Sequence, residues 1–224
     1  MGNSIFAMPL VYEKNIDTHT RFAIWRIEEN ADELLAKLQL KQDELAFLKK
    51  LNKGKRTLNW LGTRALLRTM LNTTGYIECP SDANGKPFLS NFSEKISLSH
   101  SFDYAAVMMS DKYDVGIDME LVKPKIDIIA RKFLSSIELD HIAEGENRID
   151  MLTACWCAKE AVYKLQGNKG VSFKDNMLVE PFQFNPQGGH LFTRLSGSKM
   201  DGRYKVYYER FGDYMIGYVD ERTF

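Results

Sequence analysis

A chain of 224 residues with 44% hydrophobic content holds enough apolar mass for a packed core and reads as globular. Thirty basic residues balance thirty acidic ones, which excludes a global electrostatic pull toward nucleic acid or an anionic membrane and makes any phosphate site a local one. Cys79, Cys155 and Cys157 are an odd number and lack the partners of a structural zinc site, no run approaches the ~18 apolar residues of a membrane span, and the N-terminus lacks a basic-then-apolar leader. The expectation is a cytoplasmic protein with reduced thiols. Met1-Gly2-Asn3-Ser4 opens like a myristoylation signal, but Phe6 stands where that signal needs Ser or Thr.

In chain order, nothing is assigned upstream of Lys41. A helix is expected from about Lys41 through Leu51 and a stronger one from about Leu58 to Leu71, where apolar residues recur at helical spacing. Asp82 to Pro87 reads as a turn by its Asn-Gly and Pro content. Lys95 to Ser99 and Tyr104 to Met109 read as strands, and strand character continues to Glu120. Helices are expected around Ile126 to Phe133, Ile137 to Glu144 and Ile149 to Gln166, and the tail from Leu191 to Val219 alternates as strands. Glu44-Leu45, Trp60 and Asp103-Tyr104 reappear in order as Glu138-Leu139, Trp156 and Asp213-Tyr214, a weak internal repeat that suggests two similar halves with a cleft between them.

Two segments could do chemistry. In Asp114 to Glu120 a period of two places Val115, Ile117 and Met119 on one face and Asp114, Asp118 and Glu120 on the other. Like charges held about 4 Å apart repel by roughly 4 kcal/mol at an effective dielectric of 20, so either open solvent or a hard cation must offset them. In the helical Trp156 to Lys164, the residues Trp156, Lys159, Glu160, Tyr163 and Lys164 share one side. Taken alone, that side is an ordinary Glu160 to Lys164 pair beside core aromatics. Read functionally, Glu160 is a third carboxylate for a cation and Lys164 a partner for phosphate. Ser97-Leu98-Ser99-His100-Ser101 ends a strand with hydrogen-bond donors, Lys53-Gly54-Lys55-Arg56 is a compact basic patch, and Lys86 in Gly85-Lys86-Pro87 could reach an anion from a turn.

In this order the segments resemble the 4'-phosphopantetheinyl transferase superfamily, in its Sfp-type branch. The resemblance rests on Gly85-Lys86-Pro87, Ile96 to Ser101, Gly116 to Glu120, Arg131-Lys132-Phe133-Leu134-Ser135, Trp156 to Lys164 and Lys169-Gly170-Val171, and it covers about Lys55 to Val171. It implies an α+β fold of two similar halves related by a pseudo-twofold axis, divided here as residues 1–113 and 114–224, with coenzyme A in the cleft between them. It implies that Asp118, Glu120 and Glu160 hold Mg2+, with Asp118 also against the coenzyme. Ser99, His100, Gly85, Lys86, Pro87 and Lys164 would contact the coenzyme as well. Lys55 and Arg56 would stand near its 3'-phosphate and Thr57 would face the adenine. Glu160, His100 and Lys164 are the implied catalytic residues, with Glu160 either base or pure metal ligand. The implied partner is an apo acyl or peptidyl carrier protein, and the expected state is a monomer. Two rival readings are a magnesium-dependent phosphohydrolase and a catalytically silent coenzyme A or carrier-protein binding module. Asp114 has no role in either.

Overall fold

The structure, a computed structural model, describes residues 9–51, 54–142 and 144–222. Lys53, in the basic patch, and the Met1 to Phe6 segment lie outside the described residues. Two antiparallel sheets form the centre. The first has the order β1 (Leu10–Asn15), β2 (Thr20–Arg26), β4 (Tyr104–Ser110), β3 (Lys95–Ser101). The second has the order β5 (Val115–Leu121), β9 (Tyr214–Asp220), β8 (Gly202–Phe211), β7 (Gly188–Leu195), β6 (Met177–Val179).

Each sheet carries its helices on one face. Against the first lie α1 (Ala31–Ala36), α2 (Gln42–Lys50) and α3 (Lys55–Met70), with Leu61, Ala65 and Leu66 packed among Ala23, Ala105 and Val107. Against the second lie α4 (Lys125–Phe133), α5 (Ser136–Asp140) and α6 (Arg148–Gln166), with Leu152, Ala158 and Val162 packed among Leu191, Val206 and Met215. The other faces meet in a third apolar cluster in which Phe22, Ile24 and Met108 pack on Ile117, Met119 and Ile216. The molecule is therefore a mixed helix and sheet fold with two sheets, in layers of helix, sheet, sheet and helix. The alternation Val115, Ile117, Met119 fills that inner layer with residues at most 1% exposed, as the period of two predicts.

Differences from the sequence reading are local. Helix α3 starts at Lys55, three residues early, because Gly54 takes φ +133 and its carbonyl accepts from Thr57 and Leu58 N–H. Helix α5 stops at Asp140, short of Glu144, after a capping box in which Ser135 and Glu138 bond each other. Strands β1 and β2 and helix α1, upstream of Lys41, and the short β6 were not anticipated.

Candidate active site

The two sheets meet edge to edge where β3 runs beside β5. Ile117, Met119 and Leu121 N–H donate to the hydroxyls of Ser97, Ser99 and Ser101 at 3.0, 3.2 and 3.3 Å. The offset of 20 residues is constant, so the strands run in the same direction, with serine hydroxyls taking the place of strand carbonyls. All three serines are buried, and each accepts from an edge donor of β5; Leu121 N–H also reaches Glu120 Oε1.

Asp118 and Glu120 leave β5 on the side that faces α6. The helix approaches so closely that a Cβ on Gly116 would overlap the Ala161 carbonyl, and one on Gly217 would come within 2.8 Å of Cys157 backbone. Glycine at these two positions is what lets α6 lie down on the sheet and bring Glu160 and Lys164 over the carboxylates. Lys164 Nζ donates to Asp118 Oδ1 at 2.7 Å and to the Ile117 carbonyl at 3.0 Å, and Ser99 Oγ donates to the same Asp118 oxygen at 2.9 Å. Glu120 Oε1 accepts from Ser101 Oγ at 3.2 Å and from Leu121 N–H at 3.1 Å.

The charges do not balance. Burial, then the Asp118 charge, raise the Glu160 carboxyl to about 7, with Glu120 adding to the rise and Lys164 opposing it. Glu120 is also raised, by burial first and Asp118 second. Three carboxylates thus face two ammonium groups, Lys164 in contact with Asp118 and Lys123 acting on Glu120. His100 projects from β3 toward α3 with Asn59 Nδ2 3.2 Å from its Nδ1, so with that amide donating the neutral ring carries its proton on Nε2. Desolvation and, next, the Lys164 ammonium hold the His100 imidazolium below its ordinary pKa, and Asp118 acts in the opposite sense. Asn59 Oδ1 and Thr57 Oγ1, both buried, have no hydrogen-bond partner.

A cavity of about 210 Å³ opens beside Lys164 and is lined by Gly85, Lys86, Pro87, Leu98, Tyr163 and Gly167. The turn before it is fixed by Asp82 Oδ1, which accepts from Asn84 and Lys86 N–H at 2.8 and 2.9 Å. Gly167 ends α6 at φ +66, and a Cβ there would press to 2.9 Å on the Lys86 stem. Lys86 Nζ passes this point to the Leu165 carbonyl at 2.6 Å and lies 3.6 Å from Asp114, which gives the unassigned Asp114 a partner.

Of the residues expected at one site, Asp118, Glu120, Glu160, Lys164 and Ser99 come together at the seam, His100 lies within electrostatic reach, and Gly85, Lys86 and Pro87 border the adjoining cavity. Lys55 bonds Asp103 at 2.9 Å and stacks over Phe102, and Arg56 is exposed beside it on the first turn of α3. Lys159 departs from the expected shared side. It is fully buried behind Glu160, donates to the carbonyls of Phe133, Phe173 and Met177 at 2.8, 2.8 and 2.9 Å, and pairs with Glu138 at 2.6 Å. A wedge of helix wide enough to hold Trp156 through Lys164 spans both the site and the core. Asn59 does not figure in the sequence reading, and Ser101, read there as a hydroxyl flanking His100, bonds Glu120 instead.

All the acidic donors are oxygens, the set a hard divalent cation takes. Among the described residues no three His, Cys, Asp or Glu side chains form a ready-made metal cage. That suits Mg2+, which is bound by one or two carboxylates together with substrate phosphates rather than by an all-protein cage. Asp118, Glu120 and Glu160 offer the oxygen donors such an ion takes, and with no three of these residue types grouped to hold it alone they fit it only together with ligand oxygens.

Comparison with known proteins agrees with the geometry. Residues 114–219 match the family model of the 4'-phosphopantetheinyl transferase superfamily. The chain is 32% identical over 120 residues to the 4'-phosphopantetheinyl transferase AcpT of Escherichia coli (strain K12), covering 51% of this chain and 60% of that protein. It is 27% identical over 163 residues to the 4'-phosphopantetheinyl transferase HetI of Nostoc sp., covering 65% and 68%, and 35% identical over 96 residues to the 4'-phosphopantetheinyl transferase psf-1 of Bacillus pumilus, covering 42% and 40%. The chain thus spans 40% to 68% of the length of these relatives. Residues 114–219, which hold Asp118, Glu120, Glu160 and Lys164, are thus similar to the 4'-phosphopantetheinyl transferase superfamily.

Proposed function

We propose that the chain transfers the 4'-phosphopantetheine arm of coenzyme A to a serine of an apo acyl or peptidyl carrier protein, releasing 3',5'-ADP in a magnesium-dependent reaction. The observation that carries this reading is the charge imbalance at the seam, where Glu160 is held at about 7 by burial and by Asp118, while Lys164 pairs with Asp118 and Lys123 acts on Glu120. Such a site has room for added positive charge and, once that charge is present, for pyrophosphate.

When bound, Mg2+ would neutralise pyrophosphate charge and that of the leaving phosphate. It would be held by Asp118, Glu120 and Glu160. The protein's own part follows from its side chains. Lys164, anchored on Asp118 and the Ile117 carbonyl, presents an ammonium to the phosphates, and His100 offers Nε2–H to a phosphate oxygen. Lys55 and Arg56 supply positive charge for the 3'-phosphate at the start of α3. The orphaned Thr57 Oγ1 supports a polar ligand there, since buried polar atoms are ordinarily satisfied. The cavity walled by Gly85, Lys86 and Pro87 extends the same groove. Glu160 as carboxylate accepts the proton of the carrier serine as its oxygen attacks the β-phosphorus.

We further propose that residues 1–113 and 114–224 are the two similar halves of one pseudo-twofold fold acting as a monomer in the cytoplasm. No helix among the described residues is long and apolar enough to cross a membrane. The test of the function is incubation with coenzyme A, Mg2+ and several apo carrier proteins, read by intact mass. A gain of one phosphopantetheine is expected. Release of the arm to water instead would favour the phosphohydrolase, and neither product would leave the silent binding module.

A further inference from the structure

The seam between the sheets has three rungs of one design and two different endings. Ser97, Ser99 and Ser101 each accept one N–H from β5, which leaves each hydroxyl proton free for donation. Ser99 directs its proton to Asp118 Oδ1 at 2.9 Å and Ser101 to Glu120 Oε1 at 3.2 Å. The corresponding position beside Ser97 is Gly116, which has no side chain to receive one.

We propose that Ser101 is a positioning residue that aims the Glu120 carboxylate at the cation. Glu120 is half-buried beside Asp118, and electrostatics alone would turn the two carboxylates apart. Two bonds hold it, one from Leu121 N–H of its own strand and one from Ser101 of the facing sheet. The first turns with the strand. The second ties the orientation of Glu120 to the first sheet, so the approach of the two sheets sets the carboxylate that the ion meets. Both bonds fall on Oε1, which leaves Oε2 open to a ligand. The inference rests on the assignment of Glu120 as a metal ligand.

The ladder contains its own control. Ser97→Ala orphans the buried Ile117 N–H, whereas in Ser101→Ala the Leu121 N–H keeps Glu120 Oε1 as acceptor, so Ser97→Ala should lower Tm at least as much as Ser101→Ala. Only Ser101→Ala releases a carboxylate. Titration of the full chain with Mn2+ in the presence of coenzyme A, followed by electron paramagnetic resonance of the free ion, should show affinity falling about tenfold in Ser101→Ala, the scale of a lost partner to a metal ligand. Ser97→Ala should stay within about twofold of the unsubstituted chain, and Ser101→Thr, which keeps the hydroxyl, should restore most of the loss. Equal Mn2+ affinity in Ser97→Ala and Ser101→Ala overturns the role of Ser101 while leaving the metal site standing. Absence of Mn2+ binding by the unsubstituted chain would overturn the metal assignment itself and the positioning role with it.

Discussion

Lys159 and Glu160 are neighbours on α6, yet they stand in opposite kinds of ionic site. Lys159 is fully buried, and three carbonyls and Glu138 surround its ammonium; Glu138 in turn accepts from Ser135 and from Val179 N–H at 2.8 Å. Every proton and lone pair there has a partner. Glu160, one residue on, has Asp118 and Glu120 for neighbours, with Lys164 opposing the rise in its pKa. The first site is closed and ties the end of α4, helix α5 and the Phe173 to Met177 segment to the helix. The second is left unbalanced, which is what a binding site for added cations and phosphate needs. One helix thus separates holding from doing by about 100° of rotation.

The comparison breaks most visibly at Lys159. Replacement by Ala strands the Glu138 carboxylate in the core and should cost about 3–5 kcal/mol of stability in urea unfolding. A loss under 1 kcal/mol would mean that the pair is not the strut its geometry indicates. Joint replacement of Lys159 by Met and Glu138 by Leu sharpens the point, since removing both charges together should recover most of the loss. At the other site Glu160→Gln should do the reverse. Transfer to a carrier protein should fall at least 100-fold, about 2.7 kcal/mol of transition-state stabilisation. Tm measured at pH 8 in a chelating buffer should be unchanged or higher, because one of three mutually repelling charges has gone. Full activity in Glu160→Gln would remove Glu160 from both base and metal roles.

How far these sites were legible in the sequence follows from the same contrast. The apolar alternation of Val115, Ile117 and Met119 and the long period of α6 fixed strand and helix, because buried faces leave strong periodic signals. The acidic pair, Glu160 and Lys164 could be placed in order along the chain, and the resemblance gave them company. Lys159 was misplaced because helical periodicity assigns a direction only to within a broad wedge, and a buried lysine looks like an exposed one until its carbonyl partners are known. β1 escaped notice because its alternation, Leu10 to Asn15, is only half-buried and punctuated by charge. The serine rungs were seen as donors near phosphate. That their hydroxyls stitch two sheets together depends on a pairing 20 residues apart that no local pattern encodes.

The closeness of α6 to its sheet gives a prediction of intermediate size. Gly116→Ala puts a methyl group into the Ala161 carbonyl, so the helix must lift from β5. Overpacking of this kind should cost about 1–3 kcal/mol. It should also lower transfer activity beyond the change in folded fraction, since lifting α6 moves Glu160 and Lys164 away from Asp118. Loss of stability with activity per folded molecule unchanged would show that the site tolerates a looser helix.

The smallest effect is expected at a surface counterpart of the buried pair. Glu180 accepts from Arg203 Nε and NH2 at 3.0 and 2.9 Å and from Arg194 Nε at 2.6 Å, and Arg203 stacks on Phe192. The Arg203 bonds, with Arg194 adding to them, hold the Glu180 carboxyl down at about 2. A carboxyl lowered on folding contributes stability that is complete above its unfolded pKa of about 4.5 and is lost as pH falls toward 2. The side chain is near water, so the contribution should stay under about 1 kcal/mol despite the large shift. Glu180→Gln should therefore unfold slightly more easily than the unsubstituted chain at pH 7, and the difference should shrink between pH 4.5 and 2. A difference that persists at pH 2 would assign the effect to packing rather than charge, and would make this exposed cluster more like the closed site at Lys159 than its exposure implies.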